Sequence, residues 1–276
     1  MENNESFQNA IIRELKEELN LEINSVDCQP LIQICHDYPD RQVLLDVFRV
    51  ARFQGQAIGM EGQEVRWVES KRLNEFNFPA ANRPIINAAR LPDCYVIIDD
   101  GTEQQVREQW TRVLQHPIEL IQLRLKRSAP AAVNRLLKDY MPICRQRGIK
   151  VLINSDVDGH YAEQVDGIHL TSGALRHLNQ RPAGYQWVAA SCHNEHELQQ
   201  AQSIDADFAV LAPILPTATH PDAVPLGWET FARLTQTATL PIYALGGMSL
   251  DHLSLAQQHG AQGIAGIRHI LPVSFE

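Results

Sequence analysis

The chain lacks CxxC pairs, long apolar runs, internal repeats and low-complexity segments. Its five cysteines, Cys28, Cys35, Cys94, Cys144 and Cys192, are odd in number and widely spread. That spacing suggests neither a structural zinc site nor a disulfide framework, and it fits a reducing compartment. With no signal peptide and no apolar run of about eighteen residues, the expectation is a cytoplasmic protein that does not span a membrane. A basic surplus is also missing. The 24 Lys and Arg stand against 33 Asp and Glu, a net charge of −9. Such a balance argues against a general nucleic-acid or anionic-membrane surface. It leaves open a phosphate substrate, because a bound metal can invert the local sign. What remains is ordinary for a soluble protein, 44% hydrophobic and 21% charged, and 276 residues are enough for two domains.

The most informative stretch is Glu5 to Leu21, ESFQNAIIRELKEELNL. Its apolar spacing predicts a helix, with Ile11, Ile12, Leu15 and Leu19 on a face suited to packing against a sheet. Glu14, Glu17 and Glu18 fall at i, i+3 and i+4 and share a neighbouring face. Carboxylates this close repel one another. A solvated acidic face is one reading, and a divalent ion held by their oxygens is the other. Short strand-like runs follow at Pro30–Cys35, Val43–Arg52 and Val65–Val68, then a short helix at Pro84–Arg90. The pattern is α+β over about ninety residues.

The order Glu5, then Arg13-Glu14-Leu15-Lys16-Glu17-Glu18, then Leu21 resembles the second part of the Nudix box. Tyr38-Pro39-Asp40-Arg41, Glu61-Gly62-Gln63 and Phe78-Pro79-Ala80-Ala81-Asn82-Arg83-Pro84 resemble the C-terminal half of MutT. The resemblance implies a pyrophosphohydrolase of 8-oxo-dGTP. Glu14, Glu17 and Glu18 would hold Mg²⁺, with Mn²⁺ as the alternative ion. Arg13 would orient a carboxylate, and Glu14 or Glu61 would serve as base. Arg41 would bind substrate, and Asn82 would read the oxidised guanine. The family box opens with a glycine, five residues and its first glutamate, and only four residues precede Glu5. The expectation is therefore a partial Nudix domain over residues 1–90. Asn20 stands where the family has glycine.

Leu91-Pro92-Asp93 reads as a linker. Beyond it, over residues 94–276, short apolar strands alternate with amphipathic helices, which predicts βα units and a parallel sheet. Eight strands are expected: Cys94–Ile98, Ile118–Leu125, Ile149–Asn154, Val165–Leu170, Trp187–Ser191, Phe208–Leu211, Pro241–Leu245 and Gly263–Ile267. Eight strands over some 180 residues point to a compact (β/α)₈ barrel of the TIM type, a doubly wound open sheet being the alternative. In such a barrel the working residues lie past the strand C-termini. Those positions give Gln122, Arg124, Lys126, Asn154, His169, His193, Thr217, Thr219, Gly246 and Gly247. Gly246-Gly247 after strand seven and the turn at Gly266 sit where these barrels bind phosphate.

Gln122-Leu123-Arg124-Leu125-Lys126, Asp166-Gly167-Ile168-His169-Leu170, Ser191-Cys192-His193-Asn194, the loop from Ala212 to Thr219 and Leu245-Gly246-Gly247-Met248 resemble the thiamine phosphate synthase and TenI group. A synthase of that group holds Mg²⁺ with two aspartates, and here their places are taken by Ser155 and Ala174. Asp156 and Asp158 are near but out of register. His220 replaces a family lysine, and Arg268 and His269 stand at the phosphate turn. TenI members isomerise a thiazole carboxylate phosphate without metal, using a histidine that His193 matches. An imidazole titrates near neutrality, which suits general acid–base work.

Three functions follow as expectations. The first is 8-oxo-dGTP hydrolysis by the N-terminal part, fused to a barrel without Mg²⁺-dependent synthase activity. The second is a thiazole tautomerase or synthase-like activity in the barrel. The third is a non-catalytic barrel that binds a phosphorylated metabolite. Partners would be small phosphate-bearing molecules and, as an open option, further copies of the chain.

Overall fold

The computed structural model describes residues 5–37, 42–217, 222–267 and 270–271. The chain divides into two compact units, Met1–Arg90 and Leu91–Glu276.

The first unit opens with helix α1 (Phe7–Leu19). Ser6 Oγ accepts from Asn9 N at its N-terminus. Asn20 ends it in the left-handed region (φ 58°) and returns its N–H to the Lys16 and Leu15 carbonyls. This position requires the conformation glycine adopts freely and asparagine tolerates. The expected apolar face is only half-buried at Ile11, Ile12, Leu15 and Leu19, with Ala10 the buried residue of the helix. Strands β1 (Cys28–Asp37) and β2 (Gln42–Val50) form an antiparallel pair. Its register slips between Pro30 and Ile32, beside a residue that has no N–H to donate. Helix α2 (Arg83–Arg90) closes the unit. The expected third strand at Val65–Val68 does not form: these residues belong to no ladder, and Trp67 instead stacks on Phe53 with ring centroids 5.3 Å apart. Four residues are too short a run to fix a strand by themselves.

The second unit is a closed parallel barrel of eight strands. They are β3 (Cys94–Asp99), β4 (Leu120–Arg124), β5 (Lys150–Asn154), β6 (Gly167–Leu170), β7 (Trp187–Cys192), β8 (Phe208–Leu211), β9 (Ile242–Leu245) and β10 (Gly263–Gly266). Each strand pairs with the next, and β10 closes on β3. The apolar runs reflect burial on both faces. Tyr95, Trp187, Phe208 and Tyr243 pack inside the barrel beside Leu120 and Leu152. The outward-facing side chains meet the helices α3 (Glu103–Leu114), α4 (Pro130–Arg147), α5 (Ser172–Leu175), α6 (Glu195–Ser203), α7 (Gly227–Thr237) and α8 (Leu253–Gln258). Helix α3 buries Val106, Trp110 and Val113, one stripe at helical spacing. The β5-to-β6 connection carries no helix. Residues 155–166 run as turns, with Val157 and Tyr161 buried beneath them.

Residues 91–93 are tied to the barrel. Leu91 is buried, the Tyr243 hydroxyl donates to Pro92 O, Gln262 Nε2 donates to Leu91 O, and Ile264 N donates to Asp93 O.

Helix α3 begins with a reciprocal cap. Thr102 Oγ1 accepts from Gln105 N, and Gln105 Oε1 accepts from Thr102 N. Thr102→Ala should cost about 1 kcal/mol of stability in urea unfolding. An unchanged midpoint would show that packing alone holds the helix.

Candidate active site

The strand C-termini surround a cavity of about 680 Å³. Gln122, Asn154 and His169, on β4, β5 and β6, are nearly fully buried yet line it. Arg124, Lys126, His193, Thr217 and Gly246 line it as well. These expected residues therefore share one space. Thr219, His220, Arg268 and His269 lie outside the described residues, as does Arg41 in the first unit.

The two cations at the rim are already partnered. Arg124 Nη1 is 2.8 Å from Asp99 Oδ1, and Lys126 Nζ is 2.6 Å from Asp156 Oδ2. Asp156 also accepts from Thr171 Oγ1 at 2.9 Å. Burial would raise the Asp156 carboxyl, but the hydrogen bonds from Lys126 and Thr171 outweigh it and hold the group below its ordinary range. Asp156→Asn should free the Lys126 ammonium and tighten inorganic phosphate binding about twofold to fivefold in calorimetry, the scale of a partly exposed pair. A weaker affinity would mean that the carboxylate positions the lysine rather than neutralising it.

The places of the expected metal aspartates are occupied by a small hydroxyl network. Ser155 Oγ accepts from Thr171 N, and Thr171 Oγ1 accepts from Ala174 N. Neither Ser155 nor Ala174 offers a carboxylate, and the Asp156 carboxylate is engaged. These residues do not fit a divalent ion.

His193, just past β7, is exposed on the cavity wall. Its Nδ1 lies 2.7 Å from the Ala212 carbonyl oxygen. A carbonyl only accepts, so Nδ1 carries the proton and Nε2 remains the basic nitrogen. The His193 backbone N–H donates to Glu197 Oε2 at 2.8 Å, which fixes the loop independently of the imidazole. Gly246 (φ 99°) and Gly247 (φ 69°) adopt left-handed backbone. A Cβ on Gly246 would stand 2.8 Å from Pro213 Cα, and one on Gly247 2.8 Å from Pro216 O. The pair is needed for this close approach of two loops, and it leaves Gly246 at the cavity surface.

The cavity also includes Thr171, Ser172, Ser191 and Asp222, which the sequence reading did not single out as working residues. Ser191 stands two residues before His193 in the Ser-Cys-His-Asn run, and that spacing was the available signal.

In the first unit the acidic residues gather around a guanidinium. Arg13 Nε is 3.2 Å from Glu5 Oε1, Nη2 is 2.8 Å from Glu14 Oε1, and Nη1 is 2.8 Å from Glu17 Oε2. Hydrogen bonds that Arg13 donates to Glu5 and then to Glu14 hold its pKa above the ordinary value. Glu18 is exposed. No three His, Cys, Asp or Glu among the described residues are arranged to hold a metal ion. In this arrangement Arg13 compensates two of the three expected ligands, Glu14 and Glu17. Glu61 lies in a turn, its N–H taken by Gln63 Oε1. Asn82 ends a short 3₁₀ turn with its N–H on Pro79 O. No helix among the described residues is long and apolar enough to cross a membrane.

Comparison with known proteins agrees with this division. A family model described as thiamine monophosphate synthase matches residues 94–270, and one described as NUDIX domain matches residues 1–88. The thiamine-phosphate synthase of Bacillus velezensis is 32% identical over 157 residues, 55% of this chain and 70% of that one. That of Caldivirga maquilingensis is 28% identical over 186 residues, 66% of this chain and 90% of its own length. The solved thiamine phosphate pyrophosphorylase from Pyrococcus furiosus shares the fold, with a TM-score of 0.52 and 21% identity, covering 71% of this chain and 91% of that one.

Proposed function

We propose, for a chain that belongs to the thiamine monophosphate synthase family through residues 94–270 and carries a NUDIX domain ahead of that barrel, that the barrel is a metal-independent isomerase of a thiazole carboxylate phosphate. The observation that carries this reading is His193: its tautomer is set by the Ala212 carbonyl, and its basic nitrogen stands at a cavity rimmed by Arg124 and Lys126. Tautomerisation moves one proton between two atoms of the substrate and leaves no net change in composition. Nε2 takes that proton and gives it back, with the imidazolium as the intermediate acid. Arg124, Lys126 and the backbone at Gly246 receive the anionic groups, while Gln122, Asn154 and Thr217 supply polar contacts to the ring. The missing carboxylates at Ser155 and Ala174 weigh against the synthase reaction, whose departing pyrophosphate calls for a divalent ion. The test is a time course with the full chain and thiazole carboxylate phosphate. Conversion that persists in excess EDTA supports the reading; conversion lost to EDTA, or absent throughout, overturns it.

A second reading concerns the N-terminal unit. Its match to the NUDIX domain and the Arg13-Glu14-Leu15-Lys16-Glu17-Glu18 run favour a MutT-like hydrolase that splits 8-oxo-dGTP into monophosphate and pyrophosphate. Asn82 and Arg41 would bind the nucleotide. Release of pyrophosphate from 8-oxo-dGTP by the full chain with Mg²⁺ or Mn²⁺, abolished in Glu17→Gln and Glu18→Gln, would support it. Equal release by these variants would count against it.

A further inference from the structure

Three side chains form a hydrogen-bonded file through the barrel interior that the proposed proton transfer does not use. Tyr95 on β3 is fully buried, and its hydroxyl lies 3.1 Å from His169 Nδ1 on β6. His169 Nε2 lies 2.8 Å from Ser191 Oγ on β7. Ser191 lines the cavity, so the file runs from the aromatic core to the ligand space.

A neutral imidazole has one donor and one acceptor, so two assignments compete. His169 is neutral here, because burial, then the charges of Lys126 and Arg124, push its pKa down to about 3. Burial also holds the Tyr95 phenol well above its usual range, so Tyr95 keeps its proton. Suppose Nδ1 carried the imidazole proton. It would donate to Tyr95, and the phenol proton would need another acceptor. Among the described residues the Tyr95 hydroxyl has no hydrogen-bond partner but His169. A buried O–H would be orphaned, and an unmade buried bond costs more than a made one returns. In the other assignment Tyr95 donates to Nδ1, and Nε2–H donates to Ser191 Oγ. The proton left over is then the Ser191 hydroxyl proton, and it faces the cavity, where water or a ligand can accept it.

We propose that Tyr95 and His169 are positioning residues that hold the Ser191 hydroxyl as a donor aimed into the cavity, matched to ligands presenting an acceptor there, a heteroaromatic ring nitrogen or a carboxylate oxygen. This rests on the cavity being a ligand site and not on the isomerase reading.

The test begins without ligand. In a long-range ¹H–¹⁵N spectrum of the labelled full chain, the His169 signals are those lost in His169→Gln. They should show one tautomer, protonated at Nε2; protonation at Nδ1 overturns the proposal. In Tyr95→Phe the Nδ1 resonance should move toward that of an unbonded acceptor, and an unmoved resonance overturns the role of Tyr95. Should Tyr95→Phe fail to fold, the wild-type spectrum still decides the tautomer. Calorimetry with thiazole phosphate should show about tenfold weaker binding for Ser191→Ala, one hydrogen bond's worth. Unchanged affinity overturns the donor role. A wild-type chain that binds no thiazole phosphate would fail the isomerase reading while leaving the tautomer result intact.

Discussion

His193→Ala should lower kcat on thiazole carboxylate phosphate by about a hundredfold to ten-thousandfold, the range that one positioned acid–base group contributes. The imidazole presents its basic nitrogen at the cavity wall, and among the described residues its ring bonds only the Ala212 carbonyl. Losing the side chain therefore removes the proton acceptor with little change elsewhere. The loop keeps its form because Glu197 holds the His193 N–H and not its ring. Thermal unfolding of the variant should match the wild type closely. Arg124 and Lys126 remain, so KM should change far less than kcat. A variant that turns over at the wild-type rate would remove His193 from the chemistry and leave the barrel as a binding module. A His193→Asn variant that keeps the contact to Ala212 O and is equally slow would show that basicity, rather than loop shape, is what was lost.

How much of this was legible in the sequence varies with the interaction. The barrel strands were, because a strand buried on both faces is an unbroken apolar run, as in Val96-Ile97-Ile98 and Val151-Leu152-Ile153. Their ends were less so. Ile118 and Ile149 are buried but precede their ladders, and Val165 is buried in the turn before β6. Val65–Val68 was misread since hydrophobicity does not supply a neighbouring strand. At the site, strand-end positions located Gln122, Asn154 and His169, whose buried polar groups face the cavity. The Lys126–Asp156 pair spans thirty residues, and no local pattern signals it. Tyr95 lay hidden inside an apolar strand, where a tyrosine reads as core. The spacing of Glu14, Glu17 and Glu18 fixed a shared helix face, but spacing does not say whether an ion or Arg13 neutralises it.

Gly263→Ala should destabilise the barrel by about 3 kcal/mol or more, measured by denaturant unfolding of the full chain. Gly263 opens β10, the strand that closes the sheet onto β3. An added Cβ would overlap the Asp93 carbonyl oxygen and stand 2.8 Å from Asp93 Cα. Those atoms are backbone, so no side chain can swing away to relieve the clash. The same carbonyl accepts from Ile264 N at 2.9 Å, so relief by backbone movement would stretch the hydrogen bond that starts the closing ladder. Its neighbours are tied down as well: Pro92 O takes the Tyr243 hydroxyl, and Leu91 O takes Gln262 Nε2. Tyr243 packs against Tyr95, with ring centroids 5.7 Å apart, so a shift at the strand's start reaches the aromatic layer on which the Tyr95 hydroxyl and His169 depend. The variant should accordingly weaken thiazole phosphate binding even where it stays folded, although it lies at the opposite end of the strands from the cavity. A stability within 1 kcal/mol of wild type would mean that residues 91–93 yield freely and that closure does not depend on this contact.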